Sequence, residues 1–120
     1  MIAVIFEVEP REGEAANYFD LAAQLKPLLA EADGFISVER FESLMTPGRY
    51  LSLSFWRDEE ALKAWRNVAE HRDAQVAGRK RHFAGYRLRV AQVLRDYSMD
   101  ERAEAPEEVV PPGETAWRLG

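Results

Sequence analysis

Four stretches of this chain alternate in character residue by residue, and two stretches between them repeat at helical spacing. That order leaves few folds open, because a period of two and a period of 3.6 bury different surfaces. From Ile2 to Glu9, Ile2, Val4, Phe6 and Val8 share one side, and Ala3, Ile5, Glu7 and Glu9 share the other. Pro10 ends this strand and Gly13 falls in the following turn. Ala15 to Ala32 is rich in Ala and Leu, with Tyr18, Leu21, Ala22 and Leu25 on one helical face. Pro27 interrupts it, which predicts either a kinked helix or a second short one over 27–32. Asp33-Gly34 is a helix stop.

The second half repeats the pattern. Phe35 to Leu44 alternates, with Phe35, Ser37, Glu39, Phe41 and Ser43 set against Ile36, Val38, Arg40, Glu42 and Leu44. Thr46-Pro47-Gly48 is a turn signal, and Tyr50 to Trp56 is the returning strand, so the two make an antiparallel hairpin. Asp58 is placed to cap a helix, with Glu59 and Glu60 where the helix dipole favours acids. Ala61, Leu62 and Trp65 form its apolar stripe. The stripe loosens over 67–71 and resumes toward Arg81, which reads as two consecutive helices or one bent one. Tyr86 to Tyr97 alternates again, and after Ser98 the periodicity stops.

The order β-α-β-β-α-β predicts an α+β, ferredoxin-like fold, the split βαβ arrangement: a four-stranded antiparallel sheet with helices on one face. Residues 1–97 form that domain, and 98–120 form an acidic, Pro-containing C-terminal arm, extended or flexible. Aromatic residues occur on both faces of the hairpin strands, so the open sheet face needs cover. A homodimer through that face supplies it most simply.

Charge and composition narrow the function classes. The chain has 120 residues and a net charge of −5, and residues 98–120, with six acids against Arg102 and Arg118, hold −4 of it. Residues 72–95 are strongly basic, a solvated surface or a face for an anionic ligand. An acidic chain without a recognition motif argues against nucleic acid as a partner. There is no cysteine, so disulfides, thiolate metal sites and cysteine nucleophiles are out. The two histidines, His71 and His82, stand in no metal-binding spacing. No apolar run approaches the ~20 residues of a membrane span. The opening MIAVIFEVEP reads as a strand and not a signal peptide, and the expected location is the cytoplasm.

The stretch Ser54 to Arg79 carries the most specific signal. SFWRDEEALKAW followed by HRDAQ and a basic segment resembles the antibiotic biosynthesis monooxygenase domain. The resemblance spans about Met1 to Tyr97 and rests on Phe55-Trp56, the ALKAW helix and the His71–Gln75 run. It implies dimeric α+β barrel architecture. It also implies a homodimer acting on a small aromatic or quinol compound, an oxidoreductase of the monooxygenase type that uses no cofactor and no metal. Two alternatives stand beside that reading: a non-catalytic ligand-binding dimer of the same fold, and a haem-binding or haem-degrading protein. The haem-degrading branch resembles this chain at Trp65. Its axial histidine corresponds here to Gln75 and its first-strand asparagine to Glu7, and a glutamine amide is a poor iron ligand.

Within that resemblance Trp65, His71 and Glu7 are the candidate catalytic residues, and Phe55, Gln75 and Arg89 the candidate substrate contacts. Trp65 offers an aromatic wall and an indole N–H, or is simply core. His71 takes a proton near neutral pH, or caps a helix end. Glu7 is an acid–base group if buried, or pairs with a strand arginine across the sheet. Arg87 and Arg89 stabilise an anionic intermediate, or form salt bridges between subunits.

Overall fold

The computed structural model describes residues 1–75 and 83–107, with the backbone alone over 70–75. His82, Arg79 to Arg81 and the tail residues Val109, Val110 and Trp117 lie outside the described residues. The elements are β1 (Ile2–Pro10), α1 (Ala15–Glu31), β2 (Phe35–Glu42), β3 (Tyr50–Trp56), α2 (Glu59–Gln75) and β4 (Phe83–Gln92). The strands make one antiparallel sheet in the order β2-β3-β1-β4. This is the ferredoxin-like α+β fold that the element order predicts.

Pairing register decides which side chains share a face. Across β3, β1 and β4 the rows Trp56–Ile2–Gln92, Ser54–Val4–Val90, Ser52–Phe6–Leu88 and Tyr50–Val8–Tyr86 lie on one side. Ile2, Val4 and Trp56 pack there with Leu29 of α1 and with Ala61 and Leu62 of α2. Val8 packs with Tyr18 of α1 and Phe83 of β4. Both helices therefore cover this face over β1 and β3, while Tyr86, Leu88 and Val90 of β4 on the same side stay exposed. Trp56, 1% exposed, is the largest fully buried side chain; its indole N–H donates to Ser54 Oγ at 3.0 Å, so its polar atom is not stranded. The opposite rows, Phe55–Ala3–Ala91, Leu53–Ile5–Arg89 and Leu51–Glu7–Arg87, form the open face.

For the two helices one of the open alternatives falls away, and for two strands the expectation changes. The helix α1 runs as one element through Pro27, with no second start. Ala23 and Pro27 are both exposed, so the Ala23 carbonyl that loses its partner has water to bond to. The simple alternation of β2 breaks at its first turn. The register shifts between Phe35 and Ser37, and Phe35 and Val38 both pack against the core; an extra residue here turns Phe35 onto the helix side. Likewise α2 is one continuous helix through 67–71. Finally, β4 begins at Phe83 and stops at Gln92, earlier at both ends than its alternation suggests. Gln92 pairs with Ile2, the first residue of β1, and Val93 N–H donates to the Met1 carbonyl. Residues 93–107 form no helix or strand.

Turn chemistry holds as read. Asp58 Oδ1 accepts from Ala61 N–H at 2.9 Å, closing the cap of α2. Gly34 and Gly48 have φ of +80° and +86°. A Cβ at Gly34 would stand 2.5 Å from the Ala61 Cβ, so glycine here lets the end of α1 and the start of α2 close over the same end of the sheet.

Candidate functional site

Between the helices and the sheet lies a cavity of about 190 Å³. Each element brings one face to it. The strand β1 gives Val4 and Phe6; β3 gives Ser52, Ser54 and Trp56; β2 gives Val38 and Arg40. From α1 come Tyr18, Ala22, Leu25 and Leu29, spaced 4, 3 and 4 apart along one helical face. Leu62, Trp65, Arg66 and Ala69 of α2 line the opposite wall, and Leu88 of β4 the remaining side.

The space exists because the row nearest its floor is small. Ser52 and Ser54 sit where the neighbouring positions of β3 on this face carry Tyr50 and Trp56. Two hydroxyls in an apolar wall are donors and acceptors that fix the orientation of a polar ligand group. Trp56 and Trp65 stack with ring centroids 6.1 Å apart and planes at 28°, giving a flat aromatic surface. Trp65, half-buried, also lines a shallower groove with Leu28, Ala64 and Val68, so it is the partition between cavity and outer surface.

The cavity's electrostatics are one-sided. Two guanidiniums, Arg40 and Arg66, line it, and no Asp or Glu stands among its described lining residues. Arg40 lies 6.0 Å from the centroid of the buried Tyr18 ring, an aromatic face that holds it toward the cavity.

Of the candidate residues only Trp65 is brought to this cavity among those with described side chains. His71 and Gln75 lie in α2, one turn apart, and their side chains fall outside the description. Glu7, Phe55 and Arg89 stand on the open face, across the sheet from Trp65. There Glu7 Oε2 accepts from Arg49 at 2.9 Å and Oε1 from Arg89 at 3.2 Å. The odd-numbered side of β1 carries Glu7, and the even-numbered side carries the cavity, a separation that strand alternation imposes.

Sequence reasoning passed over Ser52, Ser54, Arg40 and Arg66. The signal for the serines was present: two small polar residues on one side of a strand whose other members on that side are Tyr50 and Trp56. Arg66 gave less away, since it sits beside Trp65 and reads as an ordinary solvent-side helix residue. Beside the outer groove, Arg57 bridges Asp33 at 2.9 Å and Asp58 at 3.1 Å. The hydrogen bond from Arg57 and its charge hold the Asp33 carboxyl below the usual carboxylate range. Asp58 is lowered chiefly by the Ala61 N–H, with Arg57 adding to it.

The family profile described as Antibiotic biosynthesis monooxygenase matches residues 1–77. A protein of Pyricularia oryzae named Jasmonate monooxygenase ABM is 46% identical over 101 residues, 84% of this chain and 47% of its own length. This chain thus spans about half the length of that curated relative. Among solved structures, a Mycobacterium tuberculosis protein superposes with a TM-score of 0.69 at 19% identity, over 81% of this chain and 98% of that one. A heme-degrader of the same organism, solved with two hemes in its active site, gives a TM-score of 0.66 at 20% identity, over 82% of this chain and 100% of that one. At these identities the solved structures establish the fold alone.

Proposed function

The chain belongs to the antibiotic biosynthesis monooxygenase family, and from that premise we propose that the cavity under its helices is the active site of a cofactor-independent monooxygenase for a small aromatic or quinol compound. The carrying observation is the cavity itself: the stacked Trp56–Trp65 pair, the hydroxyls of Ser52 and Ser54 and the guanidiniums of Arg40 and Arg66 line one mainly apolar chamber. Its volume, about 190 Å³, is below the ~300–1,000 Å³ of pockets that enclose drug-sized ligands, which suits a single-ring molecule. The axial position of the haem-degrading branch corresponds here to Gln75, a poor iron ligand, and Glu7 stands on the far side of the sheet from the cavity, so these residues do not fit haem.

The chemistry needs an electron-rich substrate. A phenol gives up its O–H proton, and the resulting anion transfers electrons to dioxygen. One oxygen atom bonds to a ring carbon, that carbon loses its hydrogen, and the other oxygen atom leaves as water. Phenol plus dioxygen thus becomes quinone plus water, and the substrate supplies all the electrons. In this reading the tryptophan wall excludes water and stacks the ring, while the serine hydroxyls orient its oxygens.

A homodimer through the open face completes the reading. Ala3, Ile5, Leu51, Leu53 and Phe55 give that face an apolar centre that neither helix covers, and Phe41, 43% exposed, extends it. Light scattering at micromolar concentration is expected to give twice the 13.7 kDa chain mass; a monomer's mass would refute the dimer.

Oxygen uptake tests the enzyme. With a panel of phenols and hydroquinones, at least one substrate should raise uptake above the protein-free rate, and Trp65→Phe should reduce it. Saturable binding with no uptake across the panel would support the non-catalytic ligand-binding reading instead.

A further inference from the structure

We infer that the cavity takes its ligand as an anion, with Arg40 and Arg66 as the groups that hold the charge. The inference rests on the reading of the cavity as a small-molecule site, and it names the protonation state and chemical class of what enters: a compact aromatic or apolar body carrying one oxyanion, phenolate or carboxylate.

Three observations carry it. The first is a bias in the lining. The chain holds 21 acids against 16 Lys and Arg, yet among the described residues the cavity has two arginines and no acid. The second is the lack of compensation. Arg49 and Arg89 are engaged with Glu7, and Arg57 with Asp33 and Asp58, whereas neither Arg40 nor Arg66 has a carboxylate partner among the described residues. The third is placement. Arg40 projects from β2 on the helix side of the sheet, Arg66 from α2 beside Trp65, and Ser52 pairs directly with Arg40 on β3. A guanidinium is always charged in proteins, so neither arginine serves as a base. Each acts on the ligand's own equilibrium, favouring the anion by charge-assisted hydrogen bonding. For an oxygenation that starts from a phenolate, this does by electrostatics what a general base would do by proton transfer.

The probe is 4-nitrophenol, whose anion absorbs in the visible and reports its own protonation, with 4-nitroanisole as a neutral partner of nearly the same shape. Tryptophan quenching by either compound, measured in a Trp117→Phe background and corrected for the compounds' own absorption, reads occupancy of the Trp56–Trp65 wall. The expected result is that 4-nitrophenol in excess protein titrates at a pH about one unit below free 4-nitrophenol, equivalent to about tenfold tighter binding of the anion than of the acid. Arg40→Gln and Arg66→Gln each recover part of that displacement, and the double variant recovers nearly all of it, with quenching by 4-nitroanisole unchanged. Both arginines are exposed, so the variants keep the fold, as circular dichroism would verify. If both compounds quench but bound 4-nitrophenol titrates at or above the pH of the free compound, the anion inference is wrong while the cavity remains a ligand site. The inference fails equally if the displacement survives in the double variant. If neither compound quenches, the cavity reading falls and takes this inference with it.

Discussion

The two faces of the sheet use the same kinds of residue to opposite ends. On the open face, Glu7 sits between Arg49 and Arg89, and the charges close on one another around an apolar patch of Ile5, Leu53 and Phe55. On the covered face, Arg40 and Arg66 border a hole with no described carboxylate to answer them. Paired charges on a strand surface help fix register and partner choice and contribute little energy. Unanswered charges beside a cavity are a standing preference for whatever brings the opposite sign. The difference teaches that charge density alone does not locate a site here. What locates it is charge left uncompensated next to room.

The largest effect should come from removing the covered face's anchor. Trp56→Ala deletes the most buried large side chain and its stack with Trp65, and is expected to cost about 3–5 kcal/mol in urea unfolding. A loss below about 1 kcal/mol would mean that the covered face is not the core.

The direct contrast between faces comes next. Glu7→Gln breaks two ion pairs at once and should lower stability by roughly 0.2–1 kcal/mol, an effect that fades with added salt. Arg66→Gln breaks no described pair and should stay within about 0.5 kcal/mol of the parent. If instead Arg66→Gln proved the more destabilising, the distinction between engaged and unengaged arginines would collapse.

The smallest effect lies at the rim of the covered face. Asp33 and Asp58 are held below the ordinary carboxylate value of 3.8 by Arg57 and the Ala61 N–H. A depressed folded-state pKa means the unfolded chain binds protons more readily. The stabilisation is therefore complete above the ordinary value and lost as pH falls through the lowered one. Stability should accordingly decline with acid more steeply in the parent than in an Asp33→Asn, Asp58→Asn double variant below about pH 4. Both side chains are largely exposed, so the difference is modest, and parallel acid profiles would show that neither carboxylate's partners stabilise the fold.

How much of this was legible in the chain alone depends on which force set each feature. The six elements and their order were, because each is a local periodicity in the chain. So was the Asp58 cap, whose partner is three residues away. The family resemblance lay in short runs around Phe55-Trp56, Trp65 and His71–Gln75. The cavity was not legible. It arises where Ser52 and Ser54 of β3, Val4 and Phe6 of β1 and one face of each helix meet, and these positions are up to 65 residues apart as Val4 and Ala69. Glu7 illustrates the limit. Its alternation with Phe6 was plain, but which side of β1 would meet the helices depended on where Trp56, Leu29 and Leu62 could be buried together.

The sequence by itself determined the fold class, the helix and strand order and the family, since periodicity, capping and turn chemistry act between near neighbours. Tertiary structure alone decided that β4 ends at Gln92, opposite Ile2 at the start of β1. It alone brought Phe35 round to the core through a register shift at the start of β2. It also divided the arginines, joining Arg49 and Arg89 to Glu7 on one face and leaving Arg40 and Arg66 beside the cavity on the other. The physical reason is the same in each case: a pairing or an ion pair forms only where the sheet register brings both partners to the same face.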